Sequence, residues 1–145
     1  MRYHLNEGQF DIPDDGRIDR SMNVLAMPDG SGTTLIVSRD ALQTQETLEQ
    51  FVTRQMRDLT RQVSQLKEVS RGEVAIGSPM RDLRGIELVT QFRQNGQVRY
   101  QRPAVCQPPA ARRNVLIFTA SSAMPFDAES LAIWQRALAS FQPRT

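Results

Sequence analysis

The chain has 145 residues, enough for one domain around one core. With 39% hydrophobic and 23% charged residues, its composition is globular and slightly polar, with disorder expected only at the ends and in one Pro-rich loop. No apolar run nears the roughly 20 residues of a membrane span, the start at Met1 to Gly8 lacks the apolar stretch of a signal peptide, and a single cysteine, Cys106, excludes an intrachain disulfide or a cysteine-based zinc cluster; a reducing cytoplasm is the simplest compartment.

The net charge of +2 conceals an asymmetry. Residues 1–50 carry four Arg and nine acids, and residues 51–145 carry fourteen basic residues and seven acids. This does not make a nucleic-acid surface. The basic residues are spread over several predicted elements, and no aromatic ladder runs between them on which bases would stack.

In chain order, Tyr3 to Ile12 reads as an edge or bent strand, broken at Gly8 and stopped by the turn composition of Pro13 to Gly16. A strand from Ile18 to Met27 and another from Thr33 to Arg39, joined by Pro28 to Gly32, predict a hairpin. Thr47 is placed to cap a long helix, with Gln50 completing a capping box. From there to about Val69, apolar residues recur at Leu48, Phe51, Val52, Leu59, Val63 and Leu66, in one stripe somewhat wider than ~100°. Arg54 and Arg57 lie on the opposite face, and Asp58 is spaced to pair with Arg54 or Arg61.

Strands follow at Glu73 to Gly77, Leu83 to Arg93 and Gln97 to Arg102, the last two joined by Asn95 and Gly96, which tolerate positive φ in a tight turn. A Pro-rich link, Gln107 to Ala111, precedes a strand at Asn114 to Ser121. Asp127 caps a final helix from Ala128 to Phe141, with Leu131, Trp134, Leu138 and Phe141 as its apolar stripe, and Pro143 ends it. The expected class is α+β: a curved, mainly antiparallel sheet with one long amphipathic helix and a C-terminal helix.

Two strands are apolar on both faces. Met22, Val24 and Ala26 alternate with Leu25 and Met27; Leu116 and Phe118 alternate with Val115 and Ile117. An antiparallel strand usually keeps one face wet. Two helices look too few to cover all four rows, so a partner is expected to supply part of the cover. Alternation leaves two assignments open for Met22 and Val24: a binding face, or a core row under the long helix with Leu25 and Met27 outside.

Catalytic constellations are not evident. His4 is the only histidine, Cys106 has no neighbouring histidine, and Asp29 to Gly32 lacks the following helix that a phosphate cradle needs. Asp14, Asp15, Asp19 and Glu87 remain as carboxylates, the first two in a turn where Asp is common. A binding protein without metal or cofactor is expected rather than an enzyme.

Tyr3 to Pro13, Asp19 to Leu25, Val37 to Asp40 and the long amphipathic helix together resemble the Eag chaperones, effector-associated proteins of bacterial type VI secretion within the DcrB-like, PsbP-like fold group. The similarity follows the order of elements over most of the chain and is sharpest in the first 40 residues. It implies a cytoplasmic homodimer that is not membrane-embedded. Such a chaperone binds the N-terminal transmembrane helices of a secreted effector of the PAAR or Rhs type in a groove of its sheet.

Membrane helices pack through small apolar and uncharged polar groups, and Met adapts to irregular partners. On that basis the candidate binding residues are Met22, Val24, Ala26, Ser38, Gln62, Leu66, Gln91 and Gln101, with Gln55 also inside the helix stripe. Taken singly, Gln62 also fits a solvent-reaching residue, Leu66 a core residue, and Ser38, Gln91 and Gln101 ordinary strand positions. The alternative function is a non-catalytic binding or scaffold module of the same fold acting on a soluble partner.

Overall fold

The first strands pair only with each other. In the computed structural model, which describes residues 1–77, 83–109 and 113–143, β1 (Arg2–His4) and β2 (Gln9–Asp11) form a separate hairpin. It is closed by the Leu5 N–H donating to the Gly8 carbonyl at 2.7 Å. The single broken strand expected here is therefore a two-stranded unit, with Tyr3 and Phe10 cross-strand neighbours.

The next hairpin joins β3 (Met22–Leu25) to β4 (Thr34–Ala41). β3 is shorter than the Ile18 to Met27 strand expected from alternation. At its start the Asp19 carboxylate takes the Ser21 N–H at 2.8 Å. Past its end, the Gly30 N–H turns back to the Met27 carbonyl at 2.9 Å. Local hydrogen bonds of this kind compete with the ladder.

The first helix, α1 (Leu48–Thr60), starts as expected: Thr47 accepts from the Gln50 N–H, and the Gln50 side chain accepts from the Thr47 N–H. It ends at Thr60, with Arg61 as its C-cap, and not near Val69. Residues Ser64–Ile76 form a long strand, β5, in place of the shorter one expected from Glu73. The three-residue spacing of Val63, Leu66 and Val69 mimics a helix because β5 is irregular there. Its register shifts between Ser64 and Lys67 and again between Glu68 and Ser70, and each extra residue turns a period of two into a step of three.

β5 pairs with β6 (Leu83–Gln94), which turns through Asn95 and Gly96, both at positive φ, into β7 (Gln97–Cys106). The Pro-rich link is described from Gln107 to Pro109, and its Ala110 and Ala111 lie outside the described residues. β8 (Asn114–Ser122) follows, and Asp127 caps α2 (Ala128–Ala139). The larger sheet runs β3-β4-β8-β7-β6-β5, antiparallel at every described pairing. The class is mixed α+β, mostly antiparallel, with two helices among the described residues.

The helices take opposite faces. Phe51 and Val52 of α1 pack with Leu42, Leu88, Val105 and Val115. Trp134 and Leu138 of α2 pack with Ile76, Ala104, Cys106 and Ala120. The central strand β8 is thus covered on both sides by the chain itself, Val115 and Ile117 toward α1, Leu116 and Phe118 toward α2. No partner is needed there. The edge strand β3 is different: Met22 is 63%, Val24 55% and Leu25 63% exposed.

Candidate functional site

Strand pairing decides which side chains share a face, because paired residues point the same way and sequence neighbours point oppositely. Met22 pairs with Ser38, which pairs with Ile117. Val24 pairs with Ile36, and Ile36 with Thr119. Thr34 pairs with Ser121, and Ser121 with Gln101. Ile117 belongs to the α1 cluster, so all of these rows lie on the α1 side. Met22 and Val24 do face the side of the long helix, yet they are not core, because α1 packs over β5, β6 and β7 and leaves the β3 end open.

The open area continues into a cleft of about 190 Å³ beneath α1, whose walls include Gln55, Met56, Gln62, Gln101, Pro103 and Ile117. Gln62 lies just beyond the helix, exposed at the cleft mouth. Gln55 is tethered, its Nε2 donating to Asp40 Oδ2 at 3.3 Å. Ser121 is buried and accepts from Arg99 Nη2 at 2.8 Å and from Gln101 Nε2 at 3.2 Å. The surface is an apolar sheet face set with hydroxyl and amide groups, with Asp40 and Arg99 at its margins. It suits an apolar partner carrying occasional polar side chains.

Five of the predicted residues meet on or beside this face: Met22, Val24, Ser38, Gln62 and Gln101. Ala26 lies one residue past β3 and is exposed. Gln91 is a correction: it pairs with Tyr100, next along the strands from the Thr90–Gln101 pair, and so points to the α2 side. There it lines a separate cleft of about 200 Å³ with Val89, Tyr100, Arg102 and Phe126. Leu66 is also displaced. It lies in the bulged start of β5, the opposite edge of the sheet from β3, about 24 Å away at ~4.8 Å per strand. Ile36, Thr119, Ser121, Asp40 and Arg99 belong to the face but were missed. The alternation of Ile36 was visible in the sequence, whereas the partners of Ser121 and Arg99 come from other strands.

Of the carboxylates weighed for acid–base chemistry, Glu87, Asp15 and Asp19 have structural partners. Glu87 accepts from Arg102 at 2.9 Å and from Trp134 Nε1 at 3.3 Å, holding α2 to the sheet. Asp15 pairs with exposed Arg17. Burial pushes the Asp19 carboxyl up, but hydrogen bonds from Ser21 and Tyr3 and the charge of Arg39 outweigh it and hold that group below the ordinary range. Burial pushes the Cys106 thiol up to about 12, so this cysteine behaves as a small apolar residue. Among the described residues no group of three or more His, Cys, Asp or Glu is placed to hold a metal ion. No helix among them is long and apolar enough to cross a membrane.

Fold and face together define a mixed α+β protein whose own helices leave one end of an apolar sheet face bare. The chain belongs to the DcrB family, whose sequence profile matches residues 7–140. Its structure is similar to the crystal structure of PA94 from Pseudomonas aeruginosa, a protein of unknown function described as a candidate regulator. The TM-score is 0.74 and the identity 23%, over 100% of this chain and 97% of that one; at that identity the likeness speaks for the fold alone. No curated protein matches the chain.

Proposed function

We propose that this protein is a cytoplasmic type VI secretion chaperone. On this reading it binds and shields the N-terminal transmembrane helices of a PAAR- or Rhs-type effector before loading and export, without catalysis or cofactor. The observation that carries the proposal is the bare α1-side face of β3 and β4, where Met22, Val24 and Ile36 alternate with Thr34 and Ser38. The Eag-like blocks at Tyr3 to Pro13, Asp19 to Leu25 and Val37 to Asp40 point the same way, and with them a PsbP-like, curved sheet.

The energetics suit a reversible grip. Covering apolar surface yields about 25 cal/mol per Å², so several half-exposed side chains supply many modest contacts rather than one deep anchor. Hydroxyl and amide groups on the face can satisfy polar residues of a membrane helix, which would otherwise be left unpaired.

Co-expression with an apolar N-terminal effector segment, followed by size-exclusion chromatography, tests the reading. The expected outcome is a soluble, detergent-free complex. Met22→Asp and Val24→Asp should each abolish capture with a stability change within about 0.5 kcal/mol, because neither side chain is packed. A segment that precipitates while this protein elutes alone counts against the chaperone and leaves a module for a soluble partner. A variant that unfolds would return its side chain to the core.

A further inference from the structure

The bare face carries opposite charges at its two ends. Asp40 stands at one end, paired across the ladder with Val115. Arg99 stands at the other, beyond the Thr34–Ser121–Gln101 row, with its Nη2 on Ser121. Both are half-buried. Among the described residues neither lies within ion-pair distance of an opposite charge. Asp40 takes a hydrogen bond from neutral Gln55 and interacts at longer range with Arg54, whose charge is matched by Glu46, and Arg99 gives a hydrogen bond to neutral Ser121. Counted along the ladders, they are eight residue steps apart, about 26 Å at ~3.3 Å per step. That equals about 17 residues of α-helix at ~1.5 Å each, the lower end of a membrane span.

We infer that this face sets the direction of the helix it holds. The N-terminus of the guest lies at Asp40 and its C-terminus at Arg99. This rests on the chaperone reading above and deepens it. A helix carries about half a positive charge at its N-terminus and half a negative charge at its C-terminus. The inferred direction places each end against the opposite formal charge, and the reverse direction places both against a like charge. α1 runs the same way, from Phe51 near Leu42 to Leu59 near Gln101, and its own dipole opposes a parallel guest. Its half charges act from a helix spacing of about 8–10 Å, whereas Asp40 and Arg99 lie on the face itself as full charges. The formal charges prevail.

The test uses the full chain with a photo-crosslinking amino acid at Gln43, just past β4, or at Gln97, the exposed start of β7. The probe is an apolar Leu/Ala peptide of about 20 residues, acetylated and amidated so that the helix dipole is its only directional charge. The Gln43 site should capture the N-terminal half, and the Gln97 site the C-terminal half, by about tenfold over the reverse. Asp40→Asn combined with Arg99→Gln should erase the preference while capture persists. Equal labelling of both halves, or a preference unmoved in the double variant, overturns the inference and leaves the chaperone reading standing. A peptide never captured overturns both.

Discussion

Met22 and Val24 show how little a residue's own chemistry says about its role. Both are apolar residues of ordinary size, and they stand exposed only because β3 is the edge of the sheet. Glu46 shows the converse, a polar residue whose role is local. Arg54 grips it with Nε at 2.8 Å and Nη2 at 2.9 Å, and the Gln43 N–H adds a third bond at 3.0 Å. The hydrogen bonds from Arg54, then that from Gln43, lower the Glu46 carboxyl from 4.5 to about 2. A depressed folded pKa contributes stability above the unfolded value, and that contribution disappears as pH falls from about 4.5 toward 2. Urea unfolding should therefore find Glu46→Gln less stable than wild type at pH 7, with the gap closing as pH approaches 2. A gap constant with pH would count against the fork as its source.

At the scale of elements, Gly85 illustrates why three strands fit where they do. A Cβ built on it would stand 2.5 Å from the Val105 carbonyl oxygen and 3.1 Å from Ile76 Cδ1. The carbonyl is backbone in the neighbouring β7 and cannot swing aside. Gly85→Ala should cost about 1–3 kcal/mol by overpacking, read as a lower urea midpoint with an unchanged slope. The helix ends teach a similar lesson. Both starts were legible because Thr47 and Asp127 cap them with side chains close in sequence. The end of α1 was not. The residues after Thr60 have helical spacing and no helix breaker, and they become strand because β6 offers a ladder to pair with. Tertiary pairing outweighs a propensity of a few tenths of a kcal/mol per residue.

Across the whole molecule, the two edges of the large sheet are unlike. β5 carries Lys67, Glu68, Arg71 and Glu73 and two register shifts, the devices that discourage edge pairing. From Ser21 to Met27 the β3 edge has neither charge nor proline. An unguarded edge favours a second strand, and antiparallel pairing of two β3 copies would join their apolar rows into one wider face. Light scattering on the chain alone should therefore give twice its 16.4 kDa mass, and Leu25→Lys should return it to the monomer mass. A monomer in the wild type would overturn this edge pairing and the homodimer that the family resemblance implies.

The sequence by itself determined most of the strands, the helix starts, the Asn95–Gly96 turn and the alternation of Met22 and Val24, because each depends on neighbours a few residues away. It did not show the first half of β5, which has helical spacing, or the division of β1 from β2. It also carried the blocks that resemble a chaperone family. Only the tertiary structure decided that β8 lies central and covered while β3 lies at a bare edge, that Gln91 turns to the other face, and that Asp40 and Arg99 stand at opposite ends of one surface. Those facts follow from strand order and register. Both are set by pairings between distant segments, whose packing energy no local pattern records.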